Sequence, residues 1–239
     1  MTDTRPQGVF VSPTATRTVI FANGQLADPA SARAAIAPTD RLIAADGGLH
    51  HLQALGLRPH VLIGDLDSVE AGQADAAQAA GARVERFSPR KDQTDLELAV
   101  RLAVAEGAAQ GGADILIFGA LGARWDQTLA NLLLLAHPDF RAVRLRLIDG
   151  AQQIYLIRGK AVIEGQPGDT VSLISLQGDA RGVTTHGLEY PLQNGRLAFG
   201  STLGVSNVLL GSEATVTVDD GLVACVVIGN HHRIDERSL

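Results

Sequence analysis

Asp65 and Asp67, two residues apart in Gly64-Asp65-Leu66-Asp67-Ser68, are the side chains of this sequence best placed to do chemistry. Val61, Leu62 and Ile63 lead into them and read as the end of a buried strand. In an extended loop alternate side chains point the same way, so both carboxylates aim at one point. At about 5 Å and an effective dielectric near 20 they repel by roughly 3 kcal/mol. A cation between them removes that cost. The competing reading is a solvated turn capping a helix that begins near Ser68, and these residues alone leave the two even.

The elements that must position them alternate. Strands read at 18–22, 41–45, 61–63, 83–87, 114–118 and 143–148, and helices at 31–36, 49–55, 69–80, after Lys91-Asp92-Gln93-Thr94-Asp95, and at 127–136. Leu96, Ala99, Val100, Ala103 and Val104 keep the spacing of one apolar helix face. Asp28-Pro29 supplies a cap and a first-turn proline. This pattern predicts an α/β fold, with an N-terminal mostly parallel sheet and helices on both faces. Beyond Asp149-Gly150 the helical period is lost, and short strands at 153–157, 160–163, 170–176, 182–185, 196–199, 215–218 and 222–228 predict a C-terminal all-β sandwich. The expected organisation is a flexible tail at 1–16, an α/β domain at 17–149, a β-sandwich at 150–229 and a tail at 230–239.

In an open parallel sheet, ligands bind at the carboxyl ends of the strands. Asp46 follows the second strand, Asp65 and Asp67 the third, Lys91, Asp92 and Asp95 the fourth, and Arg124 and Asp126 the fifth. Singly, each acid has a structural reading: Asp46-Gly47 as a turn, Asp92 with Asp95 as a capping box, Asp126 as the cap of the helix at Gln127. Together they line one rim, which capping preferences do not explain. Oxygen ligands select a hard cation, Mg²⁺ above all, and Lys91 and Arg124 suit phosphate oxygens that a metal does not reach. The sequence has no G-x-x-x-x-G-K-[ST] loop, no G-x-G-x-x-G fingerprint and no H-E-x-x-H. His50-His51 and His231-His232 read as surface or tail residues.

The bulk composition narrows the classes. With 239 residues, 46% apolar and 19% charged, the chain is globular. Its net charge of −6 argues against nucleic acid or an anionic membrane as partner. Cys225 is the one cysteine, so neither an intramolecular disulfide nor a cysteine zinc site forms. The apolar runs are too short to span a bilayer and no signal-peptide pattern opens the chain, so a cytoplasmic location is expected.

Asp46-Gly47-Gly48, the Gly64–Ser68 run, Gln93-Thr94-Asp95, and Gly119 through Asp126 with Gln127 resemble the thiamine pyrophosphokinase family. Gly187-Leu188-Glu189-Tyr190-Pro191-Leu192 and Gly204-Val205-Ser206-Asn207 continue the likeness, which runs from about Val19 to Ile228. The resemblance implies a homodimeric enzyme that moves a diphosphate from the co-substrate ATP to the hydroxyl of thiamine, with Mg²⁺. It implies metal and polyphosphate ligation by Asp65, Asp67 and Asp95, with Asp126 also catalytic. Asp46, Lys91, Asp92, Thr94, Arg124 and Gln127 would bind ATP. Tyr190, Ser206 and Asn207 would form the thiamine pocket, which in this family lies at the dimer interface. Some members carry tryptophan in place of Tyr190. The alternatives are a non-catalytic thiamine or nucleotide sensor, and a related Mg²⁺-dependent diphosphotransferase with another small alcohol acceptor.

Overall fold

The computed structural model describes residues 17–108, 112–122 and 124–230. The expected tail at 1–16, His231-His232 and the chain after residue 230 lie outside the described residues. These fall into two compact units that divide after Gly150.

The first unit holds strands β1 (Thr18–Phe21), β2 (Arg41–Ala45), β3 (Val61–Gly64), β4 (Arg83–Arg86), β5 (Asp114–Phe118) and β6 (Arg144–Asp149). Its helices are α1 (Pro29–Ala35), α2 (Gly48–Ala54), α3 (Gln73–Ala79), α4 (Asp95–Ala108) and α5 (Trp125–Leu134). The strand order is β6-β5-β1-β2-β3-β4, every pair parallel. The first strand therefore lies inside the sheet. The chain winds outward from it through β2, β3 and β4, then returns to its other side through β5 and β6. The crevice beyond the carboxyl ends of β1 and β5 is where the winding reverses, the place where such sheets bind ligands.

The central strands are apolar on both faces because helices cover both. Val19, Phe21, Leu42, Ala44, Leu62 and Phe118 pack with Ala32 of α1, Leu49 and Leu52 of α2 and Ala74 of α3. The alternate residues Ile20, Ile43, Ile63 and Ile117 are equally buried. They turn to the other face, where α4 packs through Leu96, Ala99, Val100 and Ala103. The cap of α1 is the expected one: Asp28 Oδ1 accepts from the Ser31 amide at 3.0 Å, with Pro29 in the first turn. Helix α3 starts later than the alanine-rich run suggests. Gly72 is left-handed, φ 84°, which breaks any helical path through 69–72.

Helix α2 begins hard against β1. A Cβ on Gly48 would overlap the carbonyl oxygen of Phe21, which is strand backbone and cannot swing aside. Gly48→Ala is expected to destabilise the chain by about 1–3 kcal/mol and lower Tm by several degrees. A thermal melt followed by circular dichroism checks this; an unchanged Tm contradicts the close packing.

The second unit is all β. It holds β7 (Gln152–Ile157), β8 (Lys160–Glu164), β9 (Thr170–Ser175), β10 (Ala180–His186), β11 (Gly195–Leu197), β12 (Asn207–Val208), β13 (Glu213–Thr217) and β14 (Val223–Ile228). Antiparallel sheets β12-β9-β14-β7 and β11-β10-β13-β8 face each other. Ile157, Leu173, Val223 and Cys225 from one meet Ile163, Val183, Ala214 and Val216 from the other. Burial pushes the Cys225 thiol up to about 12, despite a hydrogen bond with Tyr155, so it serves as a small core filler.

Candidate active site

The loops after β2 and β3 bring three carboxylates together. Asp46, Asp65 and Asp67 each place an oxygen within 4.8 Å of the others. The backbone is bent to do so: Asp46 (φ 48°) and Leu66 (φ 63°) are two of four non-glycine residues with left-handed backbone among the described residues. Such conformations concentrate where structure serves a site. Asp46 is buried, and its Oδ1 accepts from the Ser68 amide at 3.3 Å. Asp95, the first residue of α4, approaches from above Gly64. A Cβ there would stand 2.9 Å from Asp95 Oδ1 and 3.2 Å from the Asp46 Cβ, so the missing side chain lets these acids converge.

Lys91 is the counter-charge. Its Nζ lies 3.1 Å from Asp65 Oδ2 and 2.9 Å from Asp95 Oδ1. The electrostatics differ between the two acids. Burial pushes Asp65 upward, but the Lys91 hydrogen bond, the Asp67 amide and the Lys91 charge outweigh it, leaving the carboxyl below its usual value. Burial pushes Asp95 upward too, and there the Lys91 contacts do not overcome it, because Asp65 and Asp46 repel its charge as well. For Lys91, burial opposes the charge, yet its hydrogen bonds to Asp95 and Asp65 hold it above the ordinary lysine value. Asp95 Oδ1 is a buried oxygen whose partner in this cluster is the Lys91 ammonium.

These acids border a cavity of about 590 Å³ at the switch point. Of the expected site residues, Asp46, Asp65, Lys91, Thr94, Asp95, Arg124 and Gln127 line it. Asp67 belongs to the carboxylate cluster but not to the cavity wall, and Asp92 and Asp126 are not in that wall either. Thr94 also caps α4, its Oγ1 accepting from the Glu97 amide at 3.2 Å. The capping box read at Asp92 is thus not the observed cap. Nor does Asp126 cap α5, which starts one residue earlier. It pairs with Arg124 Nη2 at 2.5 Å on the exposed rim, and the pairing lowers its carboxyl and raises the guanidinium.

Two cavity-shaping residues were not expected. His51, read from sequence as a surface residue, is half-buried, with Nε2 2.8 Å from the carbonyl oxygen of Gly24. Buried Asn131 donates from Nδ2 to the Ala120 carbonyl at 2.6 Å. Both act on backbone far away in sequence, so no local motif announces them.

Tyr190, Ser206 and Asn207 gather in the second unit. Asn207 Oδ1 accepts from the Tyr190 and Val208 amides at 3.0 and 2.9 Å, while its Nδ2 donates to the Tyr190 carbonyl at 2.7 Å. Its carboxamide is therefore engaged in holding Tyr190, whose ring is exposed. Ser206 is left-handed, φ 62°, and its amide donates to Ser172 Oγ at 3.0 Å.

The chain thus joins a parallel α/β unit, with converging carboxylates at its switch point, to a β-sandwich. Comparison with known proteins gives the particular family. Residues 32–147 match the family model described as "Thiamin pyrophosphokinase, catalytic domain", and residues 160–223 match "Thiamin pyrophosphokinase, vitamin B1 binding domain". A thiamine pyrophosphokinase of Bacillus subtilis is 32% identical over 187 residues, covering 77% of this chain and 85% of the relative. Thiamine pyrophosphokinase 1 of Oryza sativa subsp. japonica is 27% identical, over 72% and 67% of the two chains. The crystal structure of the Bacillus subtilis protein superposes with a TM-score of 0.78 at 28% identity, covering 90% of this chain and all of that one. The chain belongs to the thiamine pyrophosphokinase family.

Proposed function

We infer that this chain catalyses transfer of the terminal diphosphate of ATP to the hydroxyl of thiamine, giving thiamine diphosphate and AMP. Family membership carries the activity, and the convergence of Asp46, Asp65, Asp67 and Asp95 around Lys91 at one end of the cavity supports the site. In this reading residues 17–149 are the nucleotide- and metal-binding catalytic domain and 150–229 the thiamine-binding domain.

The residues present fit Mg²⁺. The donor set is carboxylate oxygen alone, with Asp46, Asp65 and Asp67 placing atoms within 4.8 Å of one another, the kind of ligand a hard cation takes. Asp65, Asp67 and Asp95 would hold the ion, with Asp46 beside them; when bound, it neutralises polyphosphate oxygens and polarises the β-phosphorus. Lys91 is positioned to turn from the carboxylates to phosphate oxygens as they enter. Thr94 and Gln127 offer hydrogen bonds from the cavity wall, with Asp92 at its edge. Arg124 reaches phosphate on releasing Asp126, whose carboxylate would then face the reacting groups. Such transfer needs positioning and charge neutralisation more than covalent chemistry. The thiamine oxygen forms a bond to the β-phosphorus as the bond to AMP breaks, and the hydroxyl proton leaves to a carboxylate or to water.

Tyr190 would stack on thiamine, which is aromatic and carries one positive charge, an attraction of about 0.5–2 kcal/mol, on a backbone that Asn207 fixes, with Ser206 beside it. Tyr190, Phe199, Leu203 and Leu210 are exposed large apolar side chains of the second unit. Their exposure supports a homodimer that covers them. Among the described residues no helix is long and apolar enough to cross a membrane. The lone buried Cys225 suits a reducing compartment, and we assign the chain to the cytoplasm.

Supplied with ATP, thiamine and Mg²⁺, the protein is expected to release AMP and thiamine diphosphate in equal amounts, measured by mass spectrometry. ADP as the only nucleotide product would sink this reading, and binding without turnover would favour a sensor.

A further inference from the structure

We propose that His51 and Asn131 are positioning residues that fix the nucleotide end of the cavity by clamping its two backbone loops from opposite elements. The inference rests on the reading that this cavity takes the nucleotide.

Parallel pairing of β1 with β5 does not stop where the strands end. Ala22 N donates to Phe118 O at 2.9 Å, Gly24 N to Gly119 O at 2.7 Å and Gln25 N to Leu121 O at 2.8 Å. The two loops, 22–25 and 119–122, are thus zipped beyond the sheet, and both line the cavity. They meet so closely that only glycine serves. A Cβ on Gly24 would overlap the Gly119 and Leu121 carbonyl oxygens, and one on Gly119, itself at φ 65°, would meet the Ala22 carbonyl at 2.5 Å.

A glycine-rich wall of this kind carries little side-chain packing of its own, so something outside must hold it. Three side chains do. His51 of α2 faces the Gly24 carbonyl at 2.8 Å; a carbonyl only accepts, so Nε2 carries the proton. Asn131 of α5 donates to the Ala120 carbonyl at 2.6 Å. Thr128, one helical turn before Asn131, exchanges 3.3 Å hydrogen bonds with the Gly122 amide and carbonyl. Helices from both sides of the switch point therefore fix the wall facing the acids. The carboxylates and Lys91 manage phosphate charge, while the clamped wall sets where the rest of the nucleotide lies.

The test is steady-state kinetics with each substrate varied, together with calorimetry of a non-hydrolysable ATP analogue with Mg²⁺, on the full chain. His51→Leu and Asn131→Ala are each expected to raise KM for ATP and Kd for the analogue about tenfold, a change of about 1.4 kcal/mol, in keeping with one lost hydrogen bond. KM for thiamine stays within about twofold. His51→Gln, whose amide can donate to the same carbonyl, recovers most of the affinity. Unchanged nucleotide affinity in folded variants overturns the inference, and so does an equal rise in KM for both substrates, which marks general loosening. If Asn131→Ala does not fold, the His51→Leu and His51→Gln pair decides. Failure of the unaltered chain to bind the analogue overturns the functional reading and this inference with it; normal binding there with indifferent variants overturns this inference alone.

Discussion

Asp65→Asn is expected to lower turnover by about three orders of magnitude while leaving the fold in place. The side chain occupies the centre of the acid cluster, its oxygens shared between the Asp46–Asp67 group and Lys91. An amide keeps the shape and removes the charge. It can neither help hold a divalent cation nor keep Lys91 as an ion pair. Loss of a preorganised charged contact at a reacting centre costs about 10²–10³ in rate, and Asp65 carries two such contacts. Stability moves less, because the lost Lys91 pair is offset by weaker repulsion from Asp46 and Asp67. Initial rates of AMP release and a thermal melt measure the two effects. Turnover within tenfold of the unaltered chain would remove Asp65 from the chemistry.

Asp95→Asn separates function from stability in a different way. It is expected to cut turnover about a hundredfold and to raise Tm at neutral pH. Burial, with the nearby charges of Asp65 and Asp46, holds the Asp95 carboxyl above its ordinary value against the pull of Lys91. A carboxyl raised on folding favours the protonated folded chain, and the stability this lends is lost as pH rises through the folded value. At neutral pH the ionised group is thus a cost that the amide avoids. The gain in Tm should shrink as pH falls toward the usual carboxylate range, where Asp95 is itself neutral. Melts of both proteins across that range test the sign. A lower Tm at neutral pH with activity retained would contradict it.

These two acids could be found in the sequence because each interrupts a pattern. Asp65 follows an apolar run that only a buried strand explains, and Asp95 opens a helix whose inward face is marked by Leu96, Ala99 and Val100. The parallel order followed from alternating strands and helices, and the cap at Asp28 from local chemistry that needs only three neighbouring residues. What was hidden depends on contacts remote in sequence. His51 and Gly24 are 27 residues apart, and the pair Asn207 and Tyr190 is separated by 17, so neither hydrogen bond leaves a periodic trace. Helix α3 begins later than the alanine-rich composition of 69–80 predicts, because the left-handed Gly72 decides where it can start. Thr94 and Asp126 show the converse: a capping residue was expected near each helix start, but its identity turned on a shift of one or two residues that composition does not fix.

The central claim is that the strand-end carboxylates jointly hold a hard cation against the nucleotide polyphosphate. Crystals grown with Mn²⁺, a non-hydrolysable ATP analogue and thiamine, with anomalous data collected at the manganese edge, test it most directly. The account predicts an anomalous peak within about 2.5 Å of oxygens from Asp65 and Asp67, with polyphosphate on its far side and Lys91 turned toward it. A fully occupied nucleotide elsewhere, with no peak among these acids, would contradict it.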